Sequence, residues 1–94
     1  MCAGEVQRRE VYYSGRVQGV GFRYTARSLA RRFAVAGFVK NLPDGRVHLL
    51  VEGQPQEVGL FLAAIREEMG YYISDTEETT GPASGRFRSF EVRF

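Results

Sequence analysis

Three glycines within seven residues dominate the first third of the chain, in Gly15-Arg16-Val17-Gln18-Gly19-Val20-Gly21-Phe22-Arg23. A run rich in β-formers, Val11-Tyr12-Tyr13, precedes them, and a helical pattern opens at Phe22. Glycine tolerates φ > 0, so such a stretch can turn tightly and aim several consecutive N–H groups into one concavity. The helix that follows adds unpaired N–H groups and the positive end of its dipole. Arg23 falls in the first helical turn and carries a planar fork of donors suited to two oxyanion oxygens at once. The stretch fits neither common nucleotide fingerprint, Gly-x-x-x-x-Gly-Lys-Ser/Thr or Gly-x-Gly-x-x-Gly. Two readings stand at this point: a strand–loop–helix cradle for a phosphate or carboxylate, or an ordinary glycine-rich turn with a surface arginine.

Hydrophobic periodicity organises the rest. Residues 1–9 are polar and mixed, which predicts a flexible arm ahead of a single domain over 10–94. Val11, Tyr13, Gly15 and Val17 alternate with Tyr12, Ser14 and Arg16, a first strand. Phe22, Ala26, Leu29, Ala30 and Phe33 recur at helical spacing, and Ala36-Gly37 reads as the end of that helix. Arg27 and Arg31 share the helix with Arg23 and read as a solvated face. A second strand is expected over 38–41. Leu42-Pro43-Asp44-Gly45 is a turn, and Val47, Leu49 and Val51 alternate into a third strand. His48, the only histidine, falls on the opposite face with no nucleophile or carboxylate motif around it.

Pro55 opens a second helix whose stripe is Val58, Phe61, Leu62, Ile65 and Met69, closed by Gly70. A short strand is expected to begin at Tyr71-Tyr72-Ile73. Residues 75–85 are polar and read as a long surface loop, and 86–94 alternate again as the final strand. The order is βαββαβ, a ferredoxin-like α+β sandwich with two helices on one face of an antiparallel sheet. In that topology the first two strands run parallel with the third between them. Their C-terminal ends lie about 10 Å apart, two strand spacings. The glycine loop leaves one end and Asn41 occupies the other, so Arg23 and Asn41 are expected at the same sheet end. An arginine fork with backbone donors could hold a phosphoryl group, and a carboxamide could hold a water. Asn41 alone would equally suit a turn-initiating role before Leu42-Pro43.

Composition narrows the classes. A chain of 94 residues suits one small core. The net charge of +2 is no nucleic-acid footprint. Lys40 is the one lysine among 13 basic residues, an arginine bias that suits oxyanion contacts. Cys2 is the sole cysteine, so neither an intrachain disulfide nor a cysteine metal cluster is available. With no signal-peptide core and no apolar stretch of spanning length, a cytoplasmic protein without a membrane partner is expected.

Residues 15–23 resemble the first signature of the acylphosphatase family, and Gly37-Phe38-Val39-Lys40-Asn41-Leu42-Pro43-Asp44-Gly45-Arg46-Val47, with Gly53 after it, resembles the second. Ser89-Phe90-Glu91-Val92-Arg93-Phe94 is similar to the family's last strand; Tyr13 stands where the family usually carries an aliphatic residue. The resemblance implies a hydrolase that converts acyl phosphates to carboxylate and inorganic phosphate with no metal or cofactor. It implies that Gln18, Gly19, Val20, Gly21, Phe22 and Arg23 form the phosphate-binding loop, that Arg23 binds the phosphoryl group and that Asn41 orients the attacking water. The substrate's own phosphate would take the water's proton, with no part for His48. Expected partners are a small acyl phosphate, and inorganic phosphate as product and competitive inhibitor; no nucleic acid is expected, and the chain is expected to act as a monomer. The alternative is a non-catalytic phosphate- or RNA-binding module on the same fold, although the aromatic strand motif of RNA-recognition sheets is absent.

Overall fold

A computed structural model describes residues 6–94. Its elements are β1 (Gln7–Gly15), α1 (Phe22–Ala30), β2 (Val35–Asn41), β3 (Val47–Gly53), α2 (Pro55–Met69), a 3-10 turn (Gly70–Tyr72), β4 (Ile73–Pro82) and β5 (Phe90–Arg93). One sheet contains all five strands in the order β4-β1-β3-β2-β5. β3 lies between β1 and β2 and is antiparallel to both, as the βαββαβ order requires. Cys2 lies outside the described residues.

The alternation read from sequence becomes the buried face. Val11 and Tyr13 of β1, Val39 of β2, and Val47, Leu49 and Val51 of β3 are buried against Phe22, Ala26 and Leu29 of α1 and Val58, Phe61, Ile65 and Met69 of α2. Each such large side chain taken from water stabilises the fold by about 1.5–3 kcal/mol, so this single layer is what holds both helices onto the sheet. Pro55 stands at the start of α2, where a missing N–H costs nothing.

Four features differ from the sequence reading. Of the arm expected over 1–9, Gln7, Arg8 and Arg9 belong instead to β1 and pair with β3 and β4, and residues 1–5 lie outside the described ones. The helix ends at Ala30 rather than Gly37, and Phe33 packs on Phe61 from the turn beyond it. Gly37 sits inside β2 at φ 147°, where an added Cβ would collide with the Leu50 carbonyl oxygen. Glycine is there for close backbone approach, not to cap a helix.

The third difference is residues 75–85, read as a loop, of which residues up to Pro82 form an edge strand antiparallel to β1. Most of its residues are exposed and none is fully buried, so no apolar period of two exists to betray it; backbone bonds to β1 carry the pairing. β4 thus completes the antiparallel βαββαβ sheet. The fourth difference follows: the last segment is not that fourth strand but a fifth. Only Phe90–Arg93 is strand, and it adds to the opposite edge parallel to β2, making the sheet mixed.

Candidate active site

β1 ends in an irregular register at Ser14 and Gly15, and the Arg16 N–H donates to the Tyr72 carbonyl at 2.9 Å. Val17 is fully buried and anchors the loop from below. Gly19 and Gly21 then take φ 79° and 81° with open space beside each, so a side chain is excluded by conformation rather than by room. Gly21 is also the N-cap of α1; no side chain caps that helix and no acidic residue lies in its first turn. The N–H groups there keep their positive end for an anion.

Tyr13 packs beneath the loop on Phe22, with ring centroids 5.0 Å apart. Burial pushes its phenol well above the ordinary tyrosine value, with Glu78 acting the same way and Arg66 against it, so it remains a neutral packing group. Val20 packs on the edge of the core. Gln18 acts as a tie between loops. Its Nε2 donates to the carbonyls of Leu42 at 2.8 Å and Arg46 at 2.9 Å, fastening the glycine loop to the β2–β3 turn. That turn closes as the sequence indicates, with the Leu42 N–H donating to the Arg46 carbonyl and Asp44 accepting from the Arg46 N–H.

Val17, Gly19, Gly21, Phe22, Arg23 and Asn41 line one cavity of about 210 Å³. Arg23 and Asn41 come from different elements, and the strand order brings them to one sheet end. The Arg23 guanidinium donates through Nη1 to the Arg93 carbonyl at 3.0 Å and stacks 4.6 Å from the Phe94 ring centroid. Both partners belong to the end of the chain, whose role in placing Arg23 the sequence reading missed; the only signal was the alternation that marked 86–94 as strand. The Asn41 Oδ1 is buried without a hydrogen-bond partner. Such an acceptor costs about 1–3 kcal/mol unless something donates to it.

His48 lies away from this cavity on the helix-free face. Its ring stacks on Tyr12 at 4.5 Å and 3°, and its Nε2 is 2.8 Å from Glu10 Oε2. Phe38 meets it edge-on. The residue is a packed strand-face group, in line with its sequence reading.

Glu52 holds the crossing from β4 to β5. Only 6% exposed, it accepts from the Ser84 N–H at 2.8 Å and the Gly85 N–H at 3.1 Å. Burial favours the neutral acid, yet those two amides and Arg8 outweigh it and hold the carboxyl below the usual glutamate range. A depressed native pKa contributes stability that is complete above the unfolded value of about 4.3 and lost as pH falls through the native value. Unfolding by urea is therefore expected to show a steeper loss of stability between about pH 5 and about pH 2 in the parent than in Glu52→Gln. Parallel curves would remove Glu52 from this role.

The fold and the cavity define a small ferredoxin-like α+β protein whose polar site is built on the β1–α1 loop. The acylphosphatase family model matches residues 9–92. The chain is 40% identical to an acylphosphatase of Archaeoglobus fulgidus over 90% of its length and 96% of the relative's. It is 44% identical to an acylphosphatase of Rubrobacter xylanophilus over 97% of its length and 84% of the relative's. Among solved structures, the crystal structure of acylphosphatase from Bacillus subtilis superposes with a TM-score of 0.85 at 31% identity, covering 94% of this chain and 99% of that one. The chain belongs to the acylphosphatase family.

Proposed function

We propose that Arg23 and the backbone N–H groups of residues 18–23 hold the phosphoryl group of an acyl phosphate, and that Asn41 orients the water that attacks it. The chain is a hydrolase of acyl phosphates, yielding a carboxylate and inorganic phosphate. The observation that carries the residue assignment is the shared cavity, which Arg23, the glycine loop and Asn41 line together.

In the proposed step a water hydrogen-bonded to the Asn41 carboxamide turns an oxygen lone pair toward phosphorus. The water oxygen bonds to phosphorus as the P–O bond to the acyl group breaks, and the electron pair of that bond leaves on the carboxylate. The water's proton passes to a phosphoryl oxygen. Charge on the equatorial oxygens is met by the Arg23 fork and the loop amides, groups already oriented before reaction. A carboxylate is a good leaving group, so the chain supplies positioning and charge and needs no covalent nucleophile.

On this reading inorganic phosphate uses the same cradle and inhibits competitively. The catalytic unit is one domain running from β1 to β5, acting as a monomer in the cytoplasm. Acidic residues along the exposed β4 edge, Asp75, Glu77 and Glu78, and the four-residue length of β5 work against edge-to-edge pairing of copies. Among the described residues no helix is long and apolar enough to cross a membrane.

The test is hydrolysis of an aryl acyl phosphate by the purified chain with chelator present, beside Arg23→Ala. Rapid turnover abolished in the variant supports the assignment; turnover unchanged in the variant would place the reaction elsewhere.

A further inference from the structure

A second cavity, about 430 Å³, opens beside α1 at twice the volume of the one at the glycine loop. Arg27 lines it from α1, Arg31 from the residue that caps that helix and Arg88 from the segment ahead of β5, while Phe33, Val35 and Phe90 supply an apolar wall. Arg27 and Arg31 read from sequence as a solvated face; only the fold brings Arg88 across to join them. Ion pairs among the described residues engage Arg9, Arg46 and Arg93, and none supplies a carboxylate to Arg27, Arg31 or Arg88. Three arginines thus line one recess with no carboxylate among its lining residues, an arrangement that concentrates positive potential and favours an anion.

We propose that this recess is a binding site for a small organic phosphate, with the dianionic group on Arg27, Arg31 and Arg88 and an apolar body on Phe33, Val35 and Phe90. Three delocalised, weakly hydrated cations favour a phosphate dianion over a single carboxylate. The volume falls within the range of small-molecule sites, and a bare phosphate would leave the apolar wall in water. Arg27 and Arg31 stand about 6 and 12 Å beyond Arg23 along the helix axis at 1.5 Å per residue, so the recess is separate from the Arg23 cavity. The site is independent of the hydrolytic assignment.

Phenyl phosphate is a suitable probe, because its phenolate is too poor a leaving group for the proposed hydrolysis. A nitrogen–proton NMR titration reads both cavities at once, through the amides of Arg31, Val35, Ser89 and Phe90 and through those of Gly19 and Gly21. Saturable movement of the first set is expected, at lower concentration than inorganic phosphate requires. Arg88→Glu should weaken binding there by about tenfold or more, the loss of a charge-assisted contact, while the midpoint at Gly19 and Gly21 stays unchanged. The double variant Arg27→Ala, Arg31→Ala should do the same from the helix side. No saturable movement of the first set, or an unchanged midpoint there in either variant, would overturn the site. Equal midpoints for phenyl and inorganic phosphate would overturn the apolar half of it.

Discussion

Arg23→Lys is expected to lower kcat/KM for an aryl acyl phosphate by roughly two to three orders of magnitude, the scale seen when a preorganised oxyanion donor is removed. Lysine keeps the charge and loses the fork. The guanidinium of Arg23 already spends one N–H on the Arg93 carbonyl and one face on the Phe94 ring, and it retains further donors for a phosphoryl group. An ammonium on a flexible stem cannot hold both the carbonyl and two phosphate oxygens in one plane. Steady-state kinetics with a urea-unfolding control checks this. Turnover near the parent's, in a variant of normal stability, would show that charge alone suffices and that the bidentate geometry is wrongly assigned.

Asn41→Ala should reduce kcat by about a hundredfold or more through loss of water orientation, with the inhibition constant for inorganic phosphate held within roughly threefold. That split separates a residue that places water from one that holds substrate. Stability adds a second readout. The Asn41 Oδ1 is buried without a partner, so its removal should leave the fold unharmed or slightly more stable, by up to about 1–3 kcal/mol. A residue kept for structure would behave the other way. If phosphate inhibition disappears together with turnover, Asn41 belongs to the anion cradle; if stability falls while activity persists, it is a turn residue before Leu42 and Pro43.

Residues whose environment is local were legible without coordinates. Periodicity of two and of 3.6 placed β1, β3 and both helices, because burial of one face leaves its period in the chain. Glycines with positive φ marked the loop, since few other residues adopt that conformation. The strand order followed from chirality and connection rules, and with it the expectation that Arg23 and Asn41 meet. What escaped was whatever rests on backbone pairing or on contacts between distant segments. β4 has no apolar face to announce it; Gly37 resembles a helix cap until Leu50 is seen against it; and nothing along the chain marks the tie from the Gln18 side chain to the Leu42 and Arg46 carbonyls.

The chain's own order of residues therefore determined its sandwich, its buried stripes and the anion-ready loop at the start of α1, all consequences of local conformation and hydrophobic period. Tertiary structure alone decided that a fifth strand runs parallel to β2, that its end steadies Arg23, and that Arg88 joins Arg27 and Arg31 in lining one recess. Those depend on which surfaces meet after the chain has turned back on itself, and no period or spacing along the sequence encodes them.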